Sequence, residues 1–125
     1  MALGKPIGEY SFKAISTTYT PGPGSAITQQ INYQGSATGE LAGVAQGTLT
    51  VVAEPGAKSG NWSWCGVSYL NNGDTIGASA QGTWEPSGKH KWRLRGAANF
   101  SDGRIAATEG EADLQTLAGK LSEWS

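Results

Sequence analysis

Two glutamates, Glu109 and Glu111, stand on alternate positions of "EGEAD" near the end of a 125-residue chain. In an extended segment both side chains project to the same side. A carboxylate turned toward aromatic walls has its pKa raised by desolvation, unless a cation or several donors pair with it. Such a group suits general acid or base chemistry near neutral pH. Glu109 is therefore the candidate catalytic residue and Glu111 a candidate ligand contact. The competing use is structural: the same carboxylates can reach solvent at a strand end or pair with Lys or Arg.

The other reactive types offer less. Cys65 is the only cysteine, inside "NWSWCGVSYL" (61–70). Nothing near it in sequence would lower its pKa, so it reads as a small lining residue rather than a nucleophile. His90 is the single histidine, between Lys89 and Lys91. One histidine without Cys or His spacing predicts no zinc site, and no Ser-His-Asp arrangement surrounds it. "PGPGSA" (21–26) lacks the spacing of a phosphate loop and precedes no helix. No metal and no cofactor are expected.

Composition narrows the classes. The net charge is −1 and charged residues are 15% of the chain, against about 25% in ordinary domains. No basic face is available to follow phosphates, so nucleic acid is not an expected partner. Nor does any run approach the roughly 18 apolar residues of a membrane helix. "MALGKPIGEY" has no long apolar run and no cleavage-type segment, and one cysteine forms no internal disulfide. These features predict a cytoplasmic chain forming one domain over 1–125, with no membrane partner.

Short alternating segments separated by turn signals must position the candidate residues. Strands are predicted near 7–19, 26–35, 36–42, 45–54, 61–70, 75–85, 89–100 and 104–114, with a short one near 118–124. No amphipathic helix is expected. This spacing predicts an all-β fold, a small antiparallel up-and-down barrel of about eight strands. Glycine, at 19 residues, suits the bends and close backbone approaches of such a barrel. On one parity of 35–47 lie Gly35, Ala37, Gly39, Leu41, Gly43, Ala45 and Gly47, a nearly bare face. It would let a bulky aromatic or a ligand come close, or simply bend the strands that close the barrel.

Hairpin register then assigns the faces, because opposed residues share one. Asn72-Gly73 and Asp102-Gly103 suit two-residue turns. The second turn opposes Phe100 with Ile105, Leu94 with Glu111 and Trp92 with Asp113, leaving Lys91, Arg93 and Arg95 as a basic outer stripe. It sets Glu109 and Glu111 on the apolar side. The first turn opposes Tyr69 with Ile76, Cys65 with Ala80 and Asn61 with Trp84. The expected interior thus includes Asn61, Cys65, Tyr69, Trp84, Trp92 and Phe100 as ligand-binding residues, together with Glu111. Trp62 and Trp64 would face outward as an apolar patch, suited to contact between copies of the chain.

"GTWEPSGKHKWRLRGAANFSDGR" followed by "EGEADLQTLAGKL" resembles uncharacterised bacterial proteins that share the allene oxide cyclase barrel, a calycin-like architecture. The resemblance covers roughly 36–121. It implies an eight-stranded antiparallel barrel, often oligomeric, with a pocket for a small apolar molecule. Some relatives of that barrel are cyclases or isomerases that mainly fold a reactive substrate into shape; no catalytic motif matches residue by residue. "WSWCGVSYLNNGDTIGASAQGTWE" also looks faintly like an avidin hairpin. The expected function is binding of a hydrophobic or oxygenated metabolite, with isomerisation or cyclisation through Glu109 as its enzymatic extension. Two other readings compete: a non-catalytic module presenting Trp62 and Trp64 to a carbohydrate or a protein, and a scaffold barrel with a filled core.

Overall fold

The computed structural model describes residues 4–125. Residues 1–3, part of the stretch read above for a leader, lie outside the described residues. Among the described residues there is no helix, and hence none long and apolar enough to cross a membrane.

Alternation builds strands throughout: β1 (Pro6–Pro21), β2 (Ile27–Gly39), β3 (Gly43–Ala53), β4 (Gly60–Leu70), β5 (Thr75–Gly88), β6 (Lys91–Phe100), β7 (Ile105–Asp113) and β8 (Ala118–Trp124). Each pairs antiparallel with the next and β8 returns to β1, closing an eight-stranded up-and-down barrel. The two segments predicted at 26–35 and 36–42 are one continuous strand, β2, with Gly35 held against Phe12 in its middle. The break comes later, at Glu40–Ala42.

Proline and bulges mark where the ladder can be interrupted. Pro6 and Pro21 bound β1, and Pro86 sits at a register shift against β6, where a missing N–H is tolerated. A bulge between Ala14 and Ser16 switches the parity of β1. Tyr10, Phe12 and Ala14 point inward before it, Thr17 is opposite the buried Ile31 after it, and Ile15 is left 60% exposed. Sharp coiling brings backbones together at the opposed pair Gly82 and Gly96. A Cβ on Gly82 would overlap the Arg95 carbonyl, and one on Gly96 the Gln81 carbonyl.

The two hairpin turns lie where the sequence predicts, but each is one residue longer. Leu70 N–H donates to Asp74 O at 2.9 Å and Gly73 N–H to Leu70 O at 3.0 Å. Phe100 N–H donates to Arg104 O at 2.9 Å and Gly103 N–H to Phe100 O at 3.0 Å. Gly73 and Gly103, with φ of 99° and 91°, occupy the left-handed position of a three-residue loop. Asn72 Oδ1 accepts from Asp74 N–H at 2.9 Å and Asp102 Oδ1 from Arg104 N–H at 3.0 Å. These side-chain bonds favour the longer loop.

The added residue moves each pairing by one and turns one strand of each hairpin over. β5 and β6 keep their expected inner faces. β4 is reversed: Trp62, Trp64 and Ser68 pair with Gly82, Ala80 and Ile76 and point inward. β7 is reversed as well, so Ala106, Thr108, Gly110 and Ala112 line the interior opposite Ala98, Gly96, Leu94 and Trp92.

Candidate functional site

The reversal relocates several predicted site residues. Glu109 and Glu111 are on the outer wall, facing Arg95 and Arg93 in register, while Lys91 faces Asp113. The basic stripe is thus met by carboxylates, an arrangement that opposite-charge cross-strand pairs favour. Glu109 Oε1 lies 4.0 Å from Arg95 Nε, both side chains half exposed. Glu111 borders the interior cavity, yet its exposed carboxylate accepts from Ser87 Oγ at 3.3 Å. Asn61, Cys65 and Tyr69 are exposed on the outer face of β4. Trp84, Trp92 and Phe100 are buried inside, as expected. Trp62 is 5% exposed, so Trp62 and Trp64 form no outer patch for another copy, a sugar or a protein.

Two plugs of apolar side chains close the barrel. At one end Trp84 and Trp92 pack with ring centroids 4.9 Å apart. Beside them Trp62 donates from Nε1 to the Thr83 carbonyl at 3.0 Å. The other end holds Ile7, Ile76 and Phe100, with Leu41 folded over it from the β2–β3 loop and 1% exposed. Between the plugs, Phe12 stacks on Tyr10 at 5.6 Å, meets Trp64 at 5.4 Å, and meets Tyr33 at 6.1 Å. The bare parity of 35–47 receives this group: a Cβ on Gly47 would strike the Trp64 indole.

The wall opposite these aromatics carries Ala78, Ala80 and Ala98, and the mismatch in size leaves a cavity of about 80 Å³. Phe12, Trp64, Ala78 and Ala80 point inward yet are only half buried. The surface they keep faces this space. Its lining is overwhelmingly apolar.

Polar groups gather near the Leu41 end. Ser68, Thr108 and Glu123 are buried to 7%, 2% and 3% exposure, and all three border the cavity with Tyr10. Burial pushes the Glu123 carboxyl above its ordinary range, while hydrogen bonding to Tyr10 and the charge of Arg104 pull it back. Burial also raises the Tyr10 hydroxyl strongly, with the Glu123 charge adding to it. Tyr33, deeper among the aromatics, is pushed up to about 12 by burial alone. Arg104 stands at the same end, 3.3 Å from Asp102 and 4.0 Å from Glu40. A carboxyl of raised pKa in an apolar chamber can exchange a proton with a bound molecule or donate a hydrogen bond to it.

The interior carboxyl expected at Glu109 is therefore supplied by Glu123. Its signal is present in the alternation of the last strand, where Gly119, Leu121 and Glu123 share the parity of an inward leucine. Thr108 and Ser68 become visible only once the hairpin loops are counted correctly. Among the described residues no group of His, Cys, Asp and Glu is arranged to hold a metal ion. No family model matches the chain, and no curated protein or solved structure matches it either, so the site stands on the geometry of this chain alone.

Proposed function

We propose that the protein is a small-molecule-binding barrel whose interior takes a compact hydrophobic or oxygenated metabolite. One observation carries this reading: an apolar cavity inside a closed barrel holds a single buried carboxyl, Glu123, beside Tyr10. A filled scaffold has no need of that space, and native cores seldom leave voids larger than a water molecule. The module reading, which needs outward tryptophans, loses its premise with Trp62 and Trp64 inside.

Catalysis is the enzymatic extension of the same reading, with Glu123 in the role first expected of Glu109. The walls would hold a flexible substrate in one folded shape, and orientation would supply most of any rate gain. In an isomerisation, the Glu123 carboxylate takes a proton from one substrate carbon and returns it to another. The electron pair shifts within the substrate, with no net oxidation or reduction.

The test is a thermal-shift screen of the wild type and Ala80→Leu against small alcohols, ketones, polyenes and simple sugars. Filling the space from the Ala80 side should abolish shifts from apolar compounds while circular dichroism still reports a folded barrel. Shifts that survive in Ala80→Leu, or that come only from sugars, would move the site to the outer surface and end the proposal. If an active compound is found, Glu123→Gln should stop turnover and keep binding.

A further inference from the structure

Resting on that reading, the polar end of the cavity also describes its ligand. Thr108 and Glu123 are cross-strand partners on the inner face of β7 and β8. Both are more than nine-tenths buried, at 2% and 3% exposure, and both border the cavity. Among the described residues nothing hydrogen-bonds Thr108 Oγ1 or Glu123 Oε1, and both atoms are shielded from bulk solvent. Buried oxygens of this kind are costly unless satisfied. Only a group within the barrel can reach them. The aromatic group around Phe12 and the alanines that face it offer contact area and no such demand.

We infer that the cavity is a site for a small apolar alcohol, its hydroxyl lodged between Thr108 Oγ1 and Glu123 Oε1 and its hydrocarbon body against Phe12 and Trp64. A hydroxyl both donates and accepts, so it accepts from Thr108 while donating to Glu123. It serves an ionised or a neutral carboxyl equally. A ketone only accepts, and leaves Oε1 unpaired whenever Glu123 is charged. A carboxylate ligand would bring a second negative charge beside Glu123, and a pure hydrocarbon leaves both oxygens unmet.

A series on one skeleton tests this: cyclohexanol, cyclohexanone, cyclohexane and cyclohexanecarboxylate, titrated while the tryptophan indole N–H signals are followed by NMR. In the wild type the alcohol should bind about tenfold more tightly than the hydrocarbon, the ketone should fall between, and the carboxylate should bind least. Thr108→Val keeps the shape and removes the hydroxyl. It should reduce the preference for alcohol over hydrocarbon to about twofold, and Thr108→Ser should restore it. Glu123→Gln should admit the carboxylate.

Equal affinity for alcohol and hydrocarbon in the wild type would overturn the inference and leave the cavity as an apolar site; direct pairing of Thr108 with Glu123 predicts that result. A preference undiminished in Thr108→Val would overturn it as well. Binding of none of the four compounds would remove the ligand reading itself.

Discussion

Thr108 and Glu109 are neighbours in the chain, as are Ser122 and Glu123, and the two pairs face each other across β7 and β8. Glu109 belongs to the outer wall, half exposed and 4.0 Å from Arg95. Glu123, across the same sheet, is 3% exposed among aromatics and alanines. The outer carboxylate meets water and a guanidinium. The inner one is desolvated, and its proton becomes harder to lose. Strand parity, rather than residue type or distance along the chain, divides surface ion pairs from candidate chemistry in this barrel.

The largest expected contrast between the walls is steric. Gly82→Ala places a methyl group on the Arg95 carbonyl, which the neighbouring backbone can relieve only by moving. We expect a loss of about 3 kcal/mol or more in urea unfolding, or no folded protein. Thr83→Ala, one residue away on the exposed outer face, should cost no more than about 1 kcal/mol. Comparable costs would mean that the inner wall has more room than the Gly82 and Gly96 contact allows.

Next in size is the pair that reports the face of β4. Trp64 packs 5.4 Å from Phe12 and 6.3 Å from Tyr33 between ring centroids, whereas Tyr69 is 51% exposed. Trp64→Ala should cost about 2–4 kcal/mol, and Tyr69→Ala less than about 1 kcal/mol. Thermal unfolding of both variants decides it, and the reverse order would restore the two-residue turn at Asn72-Gly73.

That contrast also locates what the sequence could and could not convey. Turn chemistry and alternation were enough for an eight-stranded antiparallel barrel, and for the inward faces of β5 and β6 with Trp84, Trp92 and Phe100. Loop length was the failing link. Asn-Gly and Asp-Gly suit both a two-residue turn and the last two positions of a three-residue loop, and local preference does not separate the two. One extra residue sent Cys65 and Tyr69 outward with Glu109 and Glu111, and brought Trp62, Trp64 and Thr108 inside. A warning was legible: the two-residue register put Glu109 and Glu111 on the apolar side of β7 without partners, while Arg93 and Arg95 stood uncompensated on the other. The parity of Glu123 is legible in β8, but its burial depends on closure of β8 against β1, a long-range pairing.

A smaller effect separates the two carboxylates by pH. The Glu123 carboxyl lies above its ordinary 4.5 in the folded barrel, with burial as the main cause and Tyr10 and Arg104 opposing it. Its contribution to stability is therefore fully present below the unfolded value and is lost as pH rises through the folded one. Glu123→Gln cannot ionise, so its stability relative to the wild type should rise from pH 4.5 upward, by on the order of 1 kcal/mol at pH 8. Glu109→Gln removes an exposed ion pair, with a change of less than about 1 kcal/mol that shrinks with added salt. Denaturant unfolding of each variant at several pH values reads the difference. A wild type that gains on Glu123→Gln as pH rises would mean that Glu123 is better stabilised in its charged form than its surroundings imply.

The smallest energetic effect gives the most direct reading of register. Cys65 is exposed and pairs in register with Thr48 and Ser79 on the outer wall, although it adjoins the half-buried Trp64. Cys65→Ser should change stability by no more than about 0.5 kcal/mol, as surface substitutions do. A thiol-specific chromogenic reagent should label the folded protein about as fast as the denatured chain, because reaction needs only thiolate and access. An inward thiol would wait for the barrel to open, and labelling would then slow by roughly the unfolding equilibrium constant, several powers of ten. Ligand adds a second discriminant. An outer thiol should keep its rate when a compound occupies the cavity, whereas a thiol on the cavity wall would be protected in proportion to occupancy. Slow labelling that ligand slows further would return Cys65 to the interior, and with it the two-residue hairpin that would expose Trp62 and Trp64.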